Sequence, residues 1–297
     1  MTIKNKLFSI FKWTHGKLFG RNLGAIPFLR LLKRATFKLL KPRGIVPVSV
    51  FGGRLFIDST DDAGGVDLLL HGVYSPFETE IIKRIVKPGM MAADIGAHIG
   101  YFTLLLAKLV GPEGRVHAFE PEPANFKLLS RNVEENKLAN VTLYNLALSD
   151  QEGTHELYLD ASNLGNPSFS ERNLPPGAKK GSVSVRTGKL DNVIKTFDFI
   201  KIDVQGAEGL ALAGAAGTLK GVKAIVMEFW PYGLRNQGTN PLQLLEYLMS
   251  FGFSLYVMSE AKKELKKKSP AELLNVSRNR PGGKGWADVL CYKGALR

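Results

Sequence analysis

From residue 75 to residue 258 the chain alternates two hydrophobic rhythms. Short apolar runs that end in an acid or a turn are followed by longer stretches in which apolar positions recur three or four residues apart. The apolar runs are Met90-Met91-Ala92-Ala93-Asp94, Arg115-Val116-His117-Ala118-Phe119-Glu120-Pro121, Val141-Thr142-Leu143-Tyr144-Asn145, Phe199-Ile200-Lys201-Ile202-Asp203 and Lys223-Ala224-Ile225-Val226-Met227-Glu228. Helical periodicity covers Tyr101–Val110, Pro123–Leu138, Glu208–Leu219 and Pro241–Phe251. Strands alternating with helices predict a doubly wound α/β sheet whose ligand sites lie at the carboxyl ends of the strands.

Upstream, Pro47–Phe51 and Arg54–Asp58 flank Gly52-Gly53 and predict a hairpin. Ser75-Pro76-Phe77-Glu78 has the form of a helix start, with Ser75 as the cap, and the helix should end near Val86. Thr154–Leu159 and Ser182–Arg186 alternate like strands, and Ala161–Gly181, rich in Gly, Pro, Ser and Asn, is expected as a long loop over the pocket. A basic linker around Lys262–Lys268 precedes a last strand, Trp286–Tyr292.

The chemistry begins at Asp94-Ile95-Gly96-Ala97-His98-Ile99-Gly100, where a strand meets two glycines four apart and then a helix. Glycine allows a sharp turn and a close backbone approach to a ligand. Glu120 follows Gly100 by twenty residues at the tip of the next strand, where an acid can accept hydrogen bonds from both hydroxyls of a ribose. Together these devices point to an adenosine-containing cofactor, and NAD and S-adenosylmethionine both qualify. Asp94, Glu120, Asp203 and Glu228 occupy matching strand-end positions, so acids far apart in sequence should face one crevice.

Composition alters this picture in one place. The formal net charge is +13, and residues 1–43 carry eleven Lys or Arg and no acid, which leaves +2 for the remainder. The arm interleaves its bases with Leu7-Phe8, Phe11, Trp13, Phe28-Leu29 and Leu39-Leu40, a pattern that suits an anionic membrane surface. A solvated helical arm or a subunit-contact extension fits equally, and an organelle transit peptide ranks third because serine is scarce. The arm has no apolar run of membrane-spanning or signal-peptide length. Cys291 is the single cysteine, which excludes an internal disulfide and a cysteine-cluster metal site and agrees with a reducing, cytoplasmic setting.

The motifs are similar to those of the FkbM family of S-adenosylmethionine-dependent methyltransferases. The resemblance rests on Lys87-Pro88-Gly89, Asp94 to Thr103, Ala118-Phe119-Glu120-Pro121, Ala147-Leu148-Ser149-Asp150, Leu190-Asp191, Ile200 to Glu208, Gly214-Ala215 and Glu228. It implies a class I methyltransferase (Rossmann-like) sheet with an antiparallel last strand, over a domain of 44–297 with its core at 75–258. It also implies O-methylation of a hydroxyl on a sugar, glycolipid or glycosylated natural product. Cofactor contacts are then expected from Asp94, Gly96, Ala97, His98, Gly100, Tyr101, Glu120, Pro121, Asn145, Ala147 and Asp203. The general base is expected at Asp203 or Glu208, with Glu228 and His98 as alternates. Gln205, where the family often has glutamate, and His98, where asparagine is frequent, are departures.

A magnesium ion on Asp203 and Glu228 is the less favoured alternative to metal-free catalysis. Rival readings are a nicotinamide-dependent oxidoreductase, a non-enzymatic binding module and a nucleic-acid methyltransferase. The last is prompted by Asn166-Pro167-Ser168-Phe169, which precedes the fourth strand where the amino-methylation motif should follow it. No nucleic-acid partner is expected; a glycan or small-molecule acceptor, peripheral membrane contact through residues 1–43 and a homo-oligomer are.

Overall fold

The computed structural model describes residues 7–8, 10–12, 36–37 and 39–297, except 61–63, 162, 277, 279–280, 295 and 297. The basic arm therefore lies largely outside the described residues. The chain divides into two compact units, Met1–Tyr74 and Ser75–Arg297. The first holds an antiparallel hairpin, β1 (Ile45–Val50) and β2 (Gly53–Asp58), and a helix, α1 (Gly64–His71). Val48, Val50, Leu55 and Ile57 bury its apolar face.

In the second unit the elements run α2 (Pro76–Ile85), β3 (Met91–Ile95), α3 (Tyr101–Val110), β4 (Arg115–Phe119), α4 (Pro123–Glu135) and β5 (Val141–Tyr144). There follow β6 (Ala147–Leu148), β7 (Gly153–Asp160), β8 (Lys179–Gly188), α5 (Leu190–Val193), β9 (Phe199–Ile202), α6 (Glu208–Ala213) and α7 (Ala216–Leu219). The chain ends with β10 (Ala224–Phe229), α8 (Pro231–Asn236), α9 (Pro241–Ser250), β11 (Ser254–Ser259), β12 (Glu264–Lys267), α10 (Pro270–Val276) and β13 (Ala287–Tyr292).

The main sheet has the order β12-β11-β13-β10-β9-β3-β4-β5. β5, β4, β3, β9 and β10 are mutually parallel, and β13 runs antiparallel to β10 and β11 as expected of the last strand. A separate three-stranded sheet, β6-β8-β7, is built from the residues between β5 and β9. Its strands absorb part of the expected loop: β8 begins at Lys179, and Glu171–Asn173 forms a 3-10 turn.

Because side chains alternate along a strand, the pairing register sorts the main sheet into two unlike faces. Ile95, Ile202, Met227 and Val289 lie side by side across β3, β9, β10 and β13 and enter the principal apolar core. On the other face Asp94 pairs with Lys201, and Glu228 with Asp288. An apolar face explains why these strands form a sheet, and the charged face marks where the sheet does something else.

Three local expectations are corrected. Ser75 does not cap α2 with its side chain; it adopts a left-handed φ of 42°, and the Glu260 carboxylate accepts from the Phe77 N–H at 2.8 and 3.0 Å instead. A carboxylate from after β11 thus faces the positive end of the helix. The basic linker at Lys262–Lys268 contains an edge strand, β12, paired antiparallel with β11; its lysines suit the open edge of a sheet. Helices α1 and α10, too short for a clear periodic signal, were not expected.

Candidate active site

The cleft lies at the carboxyl ends of β3, β4 and β9, as the topology dictates. Its wall includes Gly96 and His98 after β3, Glu120 and Pro121 after β4, Leu146 to Leu148, and Asp203 to Gln205 after β9. Its empty space, counted out to the open solvent at its mouth, is about 560 Å³.

Two residues without glycine's freedom take left-handed backbone conformations in this wall, His98 (φ 50°) and Gln205 (φ 51°). Such conformations cost about 1–3 kcal/mol each and persist only when their surroundings enforce them. For His98 the enforcement is Glu120, whose Oε2 accepts from the His98 N–H at 2.8 Å. For Gln205 it is a set of donors on its carbonyl oxygen: Ser168 Oγ at 2.8 Å, Asn173 Nδ2 at 3.0 Å and Gln237 Nε2 at 3.2 Å. The next residue, Gly206, has φ 98°, and a Cβ there would come within 2.7 Å of the Gly233 backbone.

Gly96 brings strand tips together. A Cβ on it would overlap the carbonyl oxygen of Asp203, so its absence lets the turns after β3 and β9 touch. This is the close approach expected at a glycine turn, made to protein backbone.

Glu120 is buried, and its Oε1 accepts from the Glu122 N–H at 2.9 Å. Each oxygen therefore holds one backbone donor and keeps a lone pair, as a diol-reading carboxylate requires. Burial pushes its pKa up to about 7, against the lowering effect of the two N–H donors. Asn145 Nδ2 donates to the carbonyls of Glu120 and Pro121 at 2.8 and 3.0 Å and braces this tip from outside. Phe119, stacked on Tyr144 with ring centroids 4.6 Å apart, joins Leu146 and Leu148 in an apolar wall.

Of the residues expected to hold cofactor, Gly96, His98, Glu120, Pro121, Ala147 and Asp203 line the cleft, whereas Asp94, Ala97, Gly100, Tyr101 and Asn145 stand behind it. Asp94 is buried against α3, accepting from Thr103 Oγ1 at 2.6 Å, and burial raises its pKa to about 6. The Tyr101 hydroxyl lies 3.2 Å from Thr79 Oγ1.

The expected acids do converge. One oxygen each of Asp203, Glu208 and Glu228 lies within 4.8 Å of the others. Asp203 is half-buried at the cleft, and Gln205 Nε2 donates to its Oδ1 at 2.7 Å and reaches Glu228 Oε2 at 3.4 Å. Glu208 is fully buried; its Oε1 accepts from the Val204 and Gly206 N–H groups at 3.1 and 3.2 Å, and burial raises its pKa to about 7. Burial, then the neighbouring Asp203, push Glu228 well above the ordinary carboxylate range. Three oxygens at this spacing are a donor set that a hard cation could use. Here, however, an amide bridges Asp203 to Glu228 and the Lys201 ammonium sits 3.6 Å from Asp203 Oδ2. The set is already supplied with one cation and one neutral N–H donor, and no ion is assigned to it.

Within the segment between β7 and β8 the sequence singled out only Asn166 to Phe169, and those for their likeness to an amino-methylation motif rather than as cleft lining. Gly165, Pro167 and Phe169 line the cleft, and the Leu164 carbonyl accepts from Asn125 Nδ2 of α4 at 3.0 Å. The expected loop therefore does border the pocket. Asn166 turns away, its Nδ2 donating to Asp160 at 3.0 Å. Composition marked the stretch as a loop but carried no signal for which of its residues point inward.

A parallel sheet closed by a reversed strand, a glycine turn at its centre and a buried acid at the next strand tip define a class I methyltransferase. The chain belongs to the FkbM methyltransferase family: the Methyltransferase FkbM domain matches residues 94–255. It is 30% identical to methyltransferase sdnD of Sordaria araneosa over 179 residues, 48% of this chain and 68% of that one. It is 28% identical to the 2-O-methyltransferase NoeI of Sinorhizobium fredii over 192 residues, 58% of this chain and 76% of that one. The 31-O-demethyl-FK506 methyltransferase FkbM of Streptomyces tacrolimicus is 38% identical over 79 residues, 26% of this chain and 30% of that one. The protein is an S-adenosylmethionine-dependent methyltransferase, which displaces the nicotinamide and non-enzymatic readings. Among the described residues no helix is long and apolar enough to cross a membrane.

Proposed function

We propose that this methyltransferase acts on a hydroxyl oxygen, and that the acceptor is a sugar or a glycosylated molecule. One observation carries the reading: a half-buried carboxylate, Asp203, stands at the cleft beside the glycine turn, with its orientation fixed from within the protein. The names of two relatives, a 2-O-methyltransferase and a 31-O-demethyl-FK506 methyltransferase, support oxygen as the acceptor atom.

S-adenosylmethionine, when bound, supplies a methyl group on a sulfonium. The tasks left to the chain are to hold the donor, aim an alcohol at it and remove one proton. Glu120 is suited to the ribose, the wall of Phe119, Leu146 and Leu148 to the adenine, and the Gly96–His98 turn to the amino-acid end. Asp203 takes the proton from the alcohol as the oxygen attacks; such a base typically contributes about 10²–10⁴-fold in rate. Collinear positioning of the reactants contributes up to roughly 7–11 kcal/mol more. Gln205, a neutral donor, steadies Asp203 and does not compete for the proton. We prefer the metal-free form of this mechanism because Asp203 already has Lys201 and Gln205 on its two oxygens.

The decisive experiment incubates the protein with isotopically labelled donor and a panel of glycans, glycolipids and glycosylated natural products, and looks by mass spectrometry for one added methyl. Label on nitrogen, carbon or nucleic acid and never on a hydroxyl would overturn the reading. Peripheral membrane contact through residues 1–43 belongs to the same proposal, and liposome flotation of the full chain against a chain lacking 1–43 tests it.

A further inference from the structure

The cleft wall is drawn from one half of the main sheet. Its residues come from β3, β4, β9, the turns that follow them and the segments between β4 and β9; none comes from β10, β13 or their ends. β10 lies beside β9, so Asp203 stands on the border between the two halves. A donor that fills the cleft leaves the other side of Asp203, at the ends of β10 and β13, for the acceptor.

Two tryptophans occupy that side. Glu228 of β10 pairs with Asp288 of β13, and Phe229 with Ala287, so Trp230 and Trp286 each stand one residue past the last pair. Phe229 and Ala287 belong to the apolar core. Because successive residues alternate in facing, the tryptophans extend the charged face, next to the Glu228 and Asp288 carboxyls. Trp230 is half-exposed and Trp286 is 41% exposed. One exposed apolar side chain is ordinary. Two at the paired ends of neighbouring strands, beside the acids of the site, form a surface.

That surface is held in place. A Cβ on Gly233 would overlap the Trp230 ring, so its absence lets the indole pack on the α8 backbone. Gly233 in turn meets Gly206, the residue after Gln205, where a Cβ would fall 2.7 Å from the Gly233 carbonyl carbon. Two glycine contacts thus bring the indole up to the turn that carries Asp203 and Gln205. Trp230 Nε1 donates to the Lys284 carbonyl at 3.2 Å, two residues before Trp286. The Tyr232 ring lies 5.8 Å from that of Trp230, and its hydroxyl donates to the Arg172 carbonyl at 3.2 Å.

A pyranose ring has the matching chemistry. Its rim carries hydroxyls, which hydrogen-bond to carboxyl groups, and its faces carry weakly positive C–H groups, which pack on the negative face of an aromatic ring. We propose that Trp230 and Trp286 form the acceptor platform: a pyranose rests its C–H face on the indoles, Glu228 and Asp288 hydrogen-bond its hydroxyls, and one further hydroxyl reaches Asp203. The inference deepens the proposed function and rests on it, since it names the part of the site that recognises the sugar.

The chain has three tryptophans, and the third, Trp13 in the basic arm, is an internal control. Full-length protein with ¹⁵N-labelled indoles, saturated with S-adenosylhomocysteine, is titrated with the methyl pyranosides of glucose, galactose, mannose and rhamnose, and the indole N–H signals are followed by NMR. Trp230→Phe and Trp286→Phe assign the signals by their loss. At least one pyranoside should shift Trp230 and Trp286 and leave Trp13 in place. Trp230→Leu, which removes the aromatic face, should weaken that binding at least about fivefold with affinity for S-adenosylhomocysteine unchanged. Trp230→Phe, which keeps an aromatic face, should bind better than Trp230→Leu. Trp286→Leu gives the same comparison if Trp230→Leu does not fold. Indoles unmoved by every pyranoside, a shift of Trp13 equal to theirs, or binding undiminished in either leucine variant overturns the proposal. Binding is read without methyl transfer, so the two readings fail separately. Pyranosides that bind here and never gain a methyl would defeat the proposed function and leave the platform standing. A sugar methylated with the same KM by Trp230→Leu as by wild type would defeat the platform and leave the function standing.

Discussion

Gln205 Nε2 donates to Asp203 Oδ1 at 2.7 Å and stands 3.4 Å from Glu228 Oε2, so one neutral amide joins acids carried by adjacent parallel strands. The place between two carboxylates that a divalent cation would take is filled by an N–H group. Turnover should accordingly persist at its full value after exhaustive treatment with EDTA, assayed in metal-depleted buffer. Activity abolished by the chelator and restored by magnesium would show that the amide yields its place to an ion.

Asp203→Asn keeps the size of the side chain and removes its basicity. The expected result is a loss of about 10²–10⁴-fold in kcat, with affinity for S-adenosylhomocysteine altered by less than about threefold, under 1 kcal/mol. Calorimetry and turnover measured on the same preparation separate the two effects. An equal loss in both would place Asp203 in donor binding and out of proton transfer.

Glu120 makes a contrasting pair with Asp203. Its two oxygens brace the His98 and Glu122 N–H groups and face the cleft. Glu120→Ala removes both the ribose acceptor and the brace on a left-handed turn, so affinity for S-adenosylhomocysteine should fall at least about tenfold, roughly 1.4 kcal/mol. Unchanged affinity by calorimetry would move the ribose elsewhere.

The sheet was legible because strands buried on both faces read as apolar runs, as Phe199-Ile200-Lys201-Ile202 does, and because each run ends at a turn. The same property hid the charged face. Lys201 sits in one of those runs and looks like an interruption until the register sets it against Asp94 and α2 delivers Glu78 to it. Glu260 as the cap of α2 was equally out of reach, since 183 residues separate it from Phe77. Local signals found Gly96, Glu120 and Asp203; the groups that control them come from distant segments, and only packing brings those together.

Gly96→Ala tests the contact between strand tips. At φ 79° an alanine is strained whatever the space, and its Cβ would overlap the Asp203 carbonyl. We expect a loss of at least about 2–3 kcal/mol in unfolding free energy from strain and overpacking combined, read by denaturant titration. A variant as stable as wild type would mean that the turn after β9 moves freely away from β3.

The buried acids give stability a distinctive dependence on pH. Burial raises Asp94 from 3.8 to about 6, and Glu120 and Glu208 from 4.5 to about 7. Each therefore keeps its proton in the folded protein over a range where the unfolded chain has released it. The native state binds more protons there, so stability falls as pH rises from about 4 to about 7 and levels off once both states are ionised. For Glu208 the displacement from 4.5 to about 7 is worth at most about 3 kcal/mol. Its Oε2 is buried with no hydrogen-bond partner among the described residues, so deprotonation there is not compensated. Glu208→Gln imitates the protonated side chain and preserves the oxygen that accepts from Val204 and Gly206. Scanning calorimetry should show wild type melting at lower temperature near pH 8 than near pH 5, with the variant less sensitive over the same interval. A wild-type melting temperature that climbed steadily with pH would mean that these carboxyls are ionised in the folded state and that solvent or a counter-ion reaches them.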